Sequence, residues 1–409
     1  MAEWKYDLYS DAFRAETYET YASMRAHDPV FSQPGLDGTT PIWFVTRHDD
    51  VLAVLLDHER FVLDPSLALT PEELDMFRAG GPRPDERVSQ HLLAKDGDDH
   101  RRLRRLVTKA FTPRMVEQLR PRIQEIAHEL LDAVAERGEM DLVDEYAFPL
   151  PITVIAELVG IPPEDRNRFR TWSDVFVSPA LTEGDQARFL AQTEQFLAYL
   201  SELFERRRSA PEADLVSALL QAEENGDSLS EEELYSMVVL LIVAGHETTV
   251  SLIGNAVVVL LTHPDALETI RRHPERIPAA VEEILRFETP VERAPTRWAA
   301  TDVNLGGRTI RRGDLVIVVL GSANRDESRF ERADVLDVER EDVKHVAFGR
   351  GKHFCLGAPL ARLEVEIALR TLFERLPGLR LATAPGTLRR RPVPLFRSLV
   401  SLPVAWDVD

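Results

Sequence analysis

Only one cysteine, Cys355, occurs in the 409 residues. That excludes an intrachain disulfide and fits a reducing cytosol. With no second cysteine and no histidine at ligand spacing beside it, Cys355 cannot complete a zinc site either. Positive charge is scarce: 49 Lys+Arg stand against 69 Asp+Glu, a formal net charge of -20. Such acidity argues against nucleic acid or an anionic membrane as the main partner. Long apolar runs are lacking as well. The opening MAEWKYDLYSD carries charges where a signal peptide needs an apolar stretch. The apolar stretch Met237 to Ala244 is too short to cross a bilayer. No internal repeat or low-complexity linker is found, so a cytoplasmic monomer is expected. What remains is ordinary globular material, 44% hydrophobic and 29% charged, enough for a large core.

The patterning is mainly helical. Residues 12–28 carry an apolar stripe (Phe13, Tyr18, Tyr21, Met24) and predict a helix, followed by extended segments at 30–33 and 42–46 and a short helix from Asp49. Residues 64–93 mix Pro, Gly and charge without a period, the mark of a functional or mobile loop. From about 98 to 264 helix dominates. Pro113 opens a predicted helix through Arg137, and Pro162 or Pro163 opens another. Ser230 and Glu233 form a capping box that starts a long apolar helix from about Glu231 to Thr262. A second long helix is predicted from Ala358 to Arg375. Residues 291–320 and 378–406 alternate like short strands.

The segment Phe348-Gly349-Arg350-Gly351-Lys352-His353-Phe354-Cys355-Leu356-Gly357 is the most informative. A lone cysteine is by default a buried, inert hydrophobe. Here glycines at 349 and 351 free the backbone for a tight turn close to a flat ligand. Gly357 and Pro359 open a helix whose amide N–H groups face the sulfur and favour a thiolate. A single thiolate suits the axial position of a haem iron, where it promotes O–O cleavage. The segment resembles the cysteine signature of the cytochromes P-450, Phe-x-x-Gly-x-x-x-Cys-x-Gly, at every defined position, and the following Ala358–Glu364 is similar to soluble bacterial members.

Four further motifs stand in the order that resemblance requires. Ala244-Gly245-His246-Glu247-Thr248-Thr249 is similar to the family's oxygen-activation motif. On its own it allows a plainer reading, in which the small residues permit close packing and both threonines bond their own backbone. The resemblance implies Glu247 and Thr248 as the acid–alcohol pair delivering protons to dioxygen, the co-substrate, with Ala244 against the haem. Glu283 and Arg286 match the Glu-x-x-Arg pair, implied to be structural. His100 and Arg104, one helical turn apart, resemble the propionate-binding His-x-x-x-Arg, and Arg297 and His353 match two further propionate contacts. The resemblance runs over nearly the whole chain. It departs at the Asp-Gly-Asp-Asp that replaces a proline-rich lead into His100, at Arg311 where proline is common, and across 332–342.

The resemblance implies a single domain over residues 1–409, mainly α with small β-sheets, haem b lying between the central helix and the cysteine-bearing helix. A β-rich lobe is expected mainly from about 30–60, 291–345 and 378–409, and a helix-rich lobe from 98–290 and 348–377. The pocket wall is expected from the 64–93 and Val175–Leu181 segments with Val243, Val291, Ala294 and Phe396, which suits a lipophilic substrate of the kind macrolide- and polyketide-hydroxylating members take. Segments 64–93 and 175–190 are expected to open and close over it. Arg101, Arg105, Lys109 and Lys352 form the expected docking face for an acidic ferredoxin carrying electrons from NAD(P)H through its reductase. A solvated helix face is the alternative there. A peroxide-driven haem enzyme and a non-catalytic haem binder are the competing functions; the intact Glu247 and Thr248 favour the monooxygenase.

Overall fold

The computed structural model describes residues 5–35, 38–79, 86–162, 165–177, 182–224 and 226–408. The largest sheet places Val30–Pro34, Pro41–Val45, Leu315–Val318, Arg297–Ala299 and Phe61–Val62 side by side in that order. All neighbours are antiparallel except Pro41–Val45 with Leu315–Val318. Alternation along a strand sends successive side chains to opposite faces. Val316 and Val318 therefore join Val45, Val51 and Val54 in one apolar cluster, while Ile317 and Val319 join Phe31, Phe44, Tyr21 and Met24 in another. Both faces are covered, which is why the strand reads as an unbroken run of apolar residues.

The central helix, Glu231–Thr262, starts at the Ser230–Glu233 capping box. It runs through the largest apolar cluster and packs on the cysteine-bearing helix, Ala358–Arg375. Its length and mean hydropathy of 1.7 would suffice to cross a membrane, so the sequence's apolar stretch is longer than Met237–Ala244 suggests. Yet 67% of that stretch is buried among other helices, as for a core helix of a globular protein.

Several expected elements divide. The 12–28 helix breaks at Glu16 (φ -117°, ψ 36°) into Asp11–Ala15 and Thr17–His27. The 113–137 helix becomes Pro113–Gln118, Arg120–Asp132 and a single turn, Ala135–Arg137. Pro121 explains the first of those breaks, since it offers no N–H to the preceding turn. The unpatterned 64–93 stretch contains a helix, Pro71–Ala79, with residues 80–85 outside the described part. The proline-opened helix near 162 begins at Arg166 and ends at Val177; 163–164 and 178–181 lie outside the described residues. The segment 378–409, expected with the β-rich lobe, does not join the five-stranded sheet. Pro403–Ala405 lies instead between Arg380–Leu381 and Glu139–Asp141 in a three-stranded sheet, and Leu402, Val404 and Trp406 enter the helical core.

Candidate active site around Cys355

The cysteine loop owes its shape to two glycines in the left-handed region, Gly349 (φ 70°) and Gly351 (φ 76°). A Cβ on Gly351 would also lie 2.9 Å from the Leu55 carbonyl oxygen, so no other residue fits there. The Cys355 amide donates to the Phe348 carbonyl at 3.0 Å and closes the loop. Gly357 caps the helix that follows, and the Gly357 and Ala358 amides point at the sulfur. Burial pushes the partly exposed Cys355 thiol up, opposed by those amides and the Arg104 and Arg362 charges.

Around this loop stands a group of basic side chains with too few partners. Arg297 is 4% exposed, donates only to the Pro295 carbonyl at 3.2 Å, and has no carboxylate in ion-pair range among the described residues. Burial lowers it to about 10. His100 is 2% exposed with both ring nitrogens unpartnered. Burial, with the His353 and Arg104 charges, lowers it to about 4. Its ring lies 4.2 Å from that of His353. Arg104 is half-buried on the same helix, Gly97–Ala110. Buried cations without counter-charges are costly. The arrangement fits the two propionates of a haem, whose iron would face the Cys355 sulfur.

His353 is only partly available. Its Nε2 bonds Asp96 Oδ1 at 3.1 Å, leaving Nδ1 buried and unpartnered. Asp96 also accepts the Leu63 and Asp64 amides at 2.6 and 2.9 Å, tying the cysteine loop to the sheet edge. The sequence reading missed Asp96; its position four residues before His100 was the available signal. The altered lead into His100 has a conformational counterpart, because Gly97 adopts φ 58°, which proline cannot.

On the central helix Ala244 is exposed although the helix is mostly buried, so this stretch borders open space. A Cβ on Gly245 would meet Ile155 at 3.2 Å. Thr248 Oγ1 donates to the Ala244 carbonyl at 3.0 Å and Thr249 Oγ1 to the Gly245 carbonyl at 3.3 Å. The plainer reading of the threonines thus describes their bonding here. Glu247 is 3% exposed and turned to Arg391, whose Nη1 donates to Oε2 at 3.0 Å; His246 Nε2 lies 3.4 Å from Oε1. Burial favours the acid form, but His246 and Arg391 outweigh it and hold Glu247 below the usual carboxylate range. No hydrogen bond joins Glu247 to Thr248 among the described residues. A second acid, Glu364 on the cysteine-bearing helix, is 1% exposed with neither oxygen bonded. Burial holds it well above that range. The sequence reading assigned neither Arg391 nor Glu364 a role.

The remaining expected residues divide. Val291 and Phe396 meet as an antiparallel bridge, and Val243 is half-buried beside Ala244. Ala294 is 4% exposed within the sheet cluster, its amide bonded to the Val318 carbonyl at 3.0 Å. Phe348 packs under Arg362, 4.5 Å from ring centre to guanidinium. Arg286 makes a two-pronged bond to Glu283 at 2.7 and 2.8 Å and donates to the Asn324, Ala333 and Val335 carbonyls. That pair braces the segment leading to the cysteine loop.

Known proteins resemble this chain over most of its length. Residues 167–384 match the family model described as Cytochrome P450. The chain is 47% identical over 404 residues to cytochrome P450 107B1 of Saccharopolyspora erythraea, covering 97% of this chain and 96% of that protein. It is 46% identical over 366 residues to the mycinamicin IV hydroxylase/epoxidase of Micromonospora griseorubida, covering 89% of each. Among solved structures, the myxobacterial CYP267B1 in complex with myristic acid superposes with a TM-score of 0.92 at 42% identity, covering 98% and 99%. By these relatives the chain belongs to the cytochrome P450 family and is a haem-dependent monooxygenase.

Proposed function

We propose that Cys355 would ligate the iron of haem b and that Arg297, His100, Arg104 and the Nδ1 side of His353 would hold its propionates. The observation that carries this is the burial of Arg297 without a carboxylate partner, and of His100 without any, beside the half-buried cysteine. When bound, the haem supplies dioxygen activation, one oxygen atom entering the substrate and the other leaving as water. The chain's part is positioning and protons. Gly357 and Ala358 donate to the sulfur and moderate its basicity. Thr248 offers a hydroxyl on the open face of the helix, and Glu247 carries protons in from the Arg391 side once that ion pair loosens.

The substrate is a lipophilic small molecule of the polyketide or macrolide kind, hydroxylated or epoxidised against a wall that includes Val243, Val291 and Phe396. The mycinamicin-modifying relative and the apolar character of these residues support this. Electrons reach the protein, as a cytoplasmic monomer, from a ferredoxin that docks on Arg101, Arg105, Lys109 and Lys352. Arg101, Arg105 and Lys352 are exposed, although Arg101 pairs with Asp98 of its own helix. Arg102 of the same cluster is spent on Glu233 of the central helix and belongs to the fold. Reduced, carbon monoxide-exposed protein should show a strongly red-shifted Soret band that Cys355→Ser loses. A band typical of histidine-ligated haem in the wild type would overturn the assignment.

A further inference from the structure

Behind the loop that carries Arg391 and Phe396, a small cavity lies against the N-terminal segment at Leu8 and Phe13. Its volume, about 20 Å³, admits one small occupant. Arg293, Arg390 and Arg397 line it, and their side chains are 2%, 17% and 9% exposed. Two carboxylates serve these three guanidiniums. Glu288 Oε1 accepts from Arg390 Nη2 at 2.6 Å and from Arg397 Nε at 2.8 Å. Glu292 stands 3.5 Å from Arg293 Nε and 3.8 Å from Arg397 Nη1, and also accepts the Tyr21 hydroxyl. One positive charge is left over, and Arg325, half-buried over Tyr18, adds to the excess.

Arg293 shares Glu292 with Arg397 and Tyr21 and is the least well bonded of the three guanidiniums. Its Nη2 donates to the Leu8 carbonyl at 2.9 Å, but Nε and Nη1 are buried without a hydrogen-bond partner. The rings of Tyr9, Phe13 and Phe44 lie 5.4, 5.5 and 5.7 Å from the guanidinium. Ring faces attract the charge yet accept no in-plane N–H bond, so those two donors still need an acceptor. A buried cation left in that state costs far more than a neutral group.

We infer that this cavity is a binding site for one monatomic anion, chloride, held by the free N–H groups of Arg293 and the surplus charge of the arginine cluster. A water molecule would satisfy a donor but leave the charge. The occupant braces the 390–397 loop, whose Leu395 carbonyl accepts the Glu292 amide at 2.9 Å. The site does not depend on the roles proposed at the haem.

Thermal melts of the haem-loaded protein in sodium chloride and in sodium gluconate at equal ionic strength test this. Chloride should raise Tm by roughly 1–2 °C with a saturable dose dependence, and Arg293→Met should abolish the difference. Because that variant risks poor folding, wild-type crystals soaked in bromide provide the second measurement, with an anomalous peak expected between Arg293 and Arg397. Equal melting in the two salts would overturn the inference. So would a bromide peak unaccompanied by any saturable chloride effect, which would mean an adventitious ion only.

Discussion

Two arginines buried to nearly the same extent behave in opposite ways. Arg286, fully buried, has a carboxylate and three carbonyls around it and no donor to spare. Arg297, 4% exposed, meets one carbonyl. The first is a finished structural joint whose value lies within the folded chain. The second is a cost that the chain carries until an anionic group arrives. Burial alone therefore does not tell structure from function; the state of the partners does.

The largest effect should come from breaking the finished joint. Arg286→Leu leaves Glu283 only Arg340 and the Asp337 amide and strips the Asn324 and Ala333 carbonyls of its guanidinium, and should cost about 3–5 kcal/mol, read as loss of soluble, haem-loaded protein and a collapsed melting temperature. Arg297→Leu should do the reverse to the empty protein. The apoprotein should melt no lower than wild type, since an unpaired buried charge is gone, while haem dissociates at least about tenfold faster to an acceptor globin. If both variants destabilise the apoprotein alike, the contrast fails.

His100 sharpens the same comparison through pH. Its folded-state value of about 4 lies below the ordinary 6.5, so the unfolded chain binds the extra proton between those limits. Apoprotein stability from this group is full above pH 6.5 and is lost as pH falls towards 4, by about 3 kcal/mol. His91, also lowered to about 4 by burial, contributes in the same window. Urea melts at the two ends should show the loss, and His100→Gln should remove only its own share. Haem, by placing anions beside His100, should lessen it.

Proton delivery gives a smaller effect in stability and a visible one in turnover. Arg391→Gln should release Glu247 to a higher pKa, and Glu247→Gln should slow substrate oxidation about 100-fold while leaving the carbon monoxide spectrum unchanged. The smallest effect is expected at the surface. Charge reversal at Arg101 and Arg105 should alter stability by no more than about 0.5 kcal/mol, yet slow reduction by ferredoxin and flatten its salt dependence.

Much of this was readable in one dimension. The capping box fixed the start of the central helix, and Ala358–Arg375 appeared where its pattern ended. The loop signature singled out Cys355 because turn chemistry and helix-start chemistry are local. The break at Leu119 also had a local signal in Pro121, whereas the break at Glu16 has none in the periodicity.

Local rules thus determined the elements, the family signature and the candidate ligand. Tertiary structure alone decided who partners whom: that Asp96 claims one side of His353, that Arg391 and not Thr248 holds Glu247, and that Glu364 is left without a hydrogen-bond partner in the core. Partners of a buried charge come from residues distant in sequence, and only the packed fold sets which of them share a low-dielectric space.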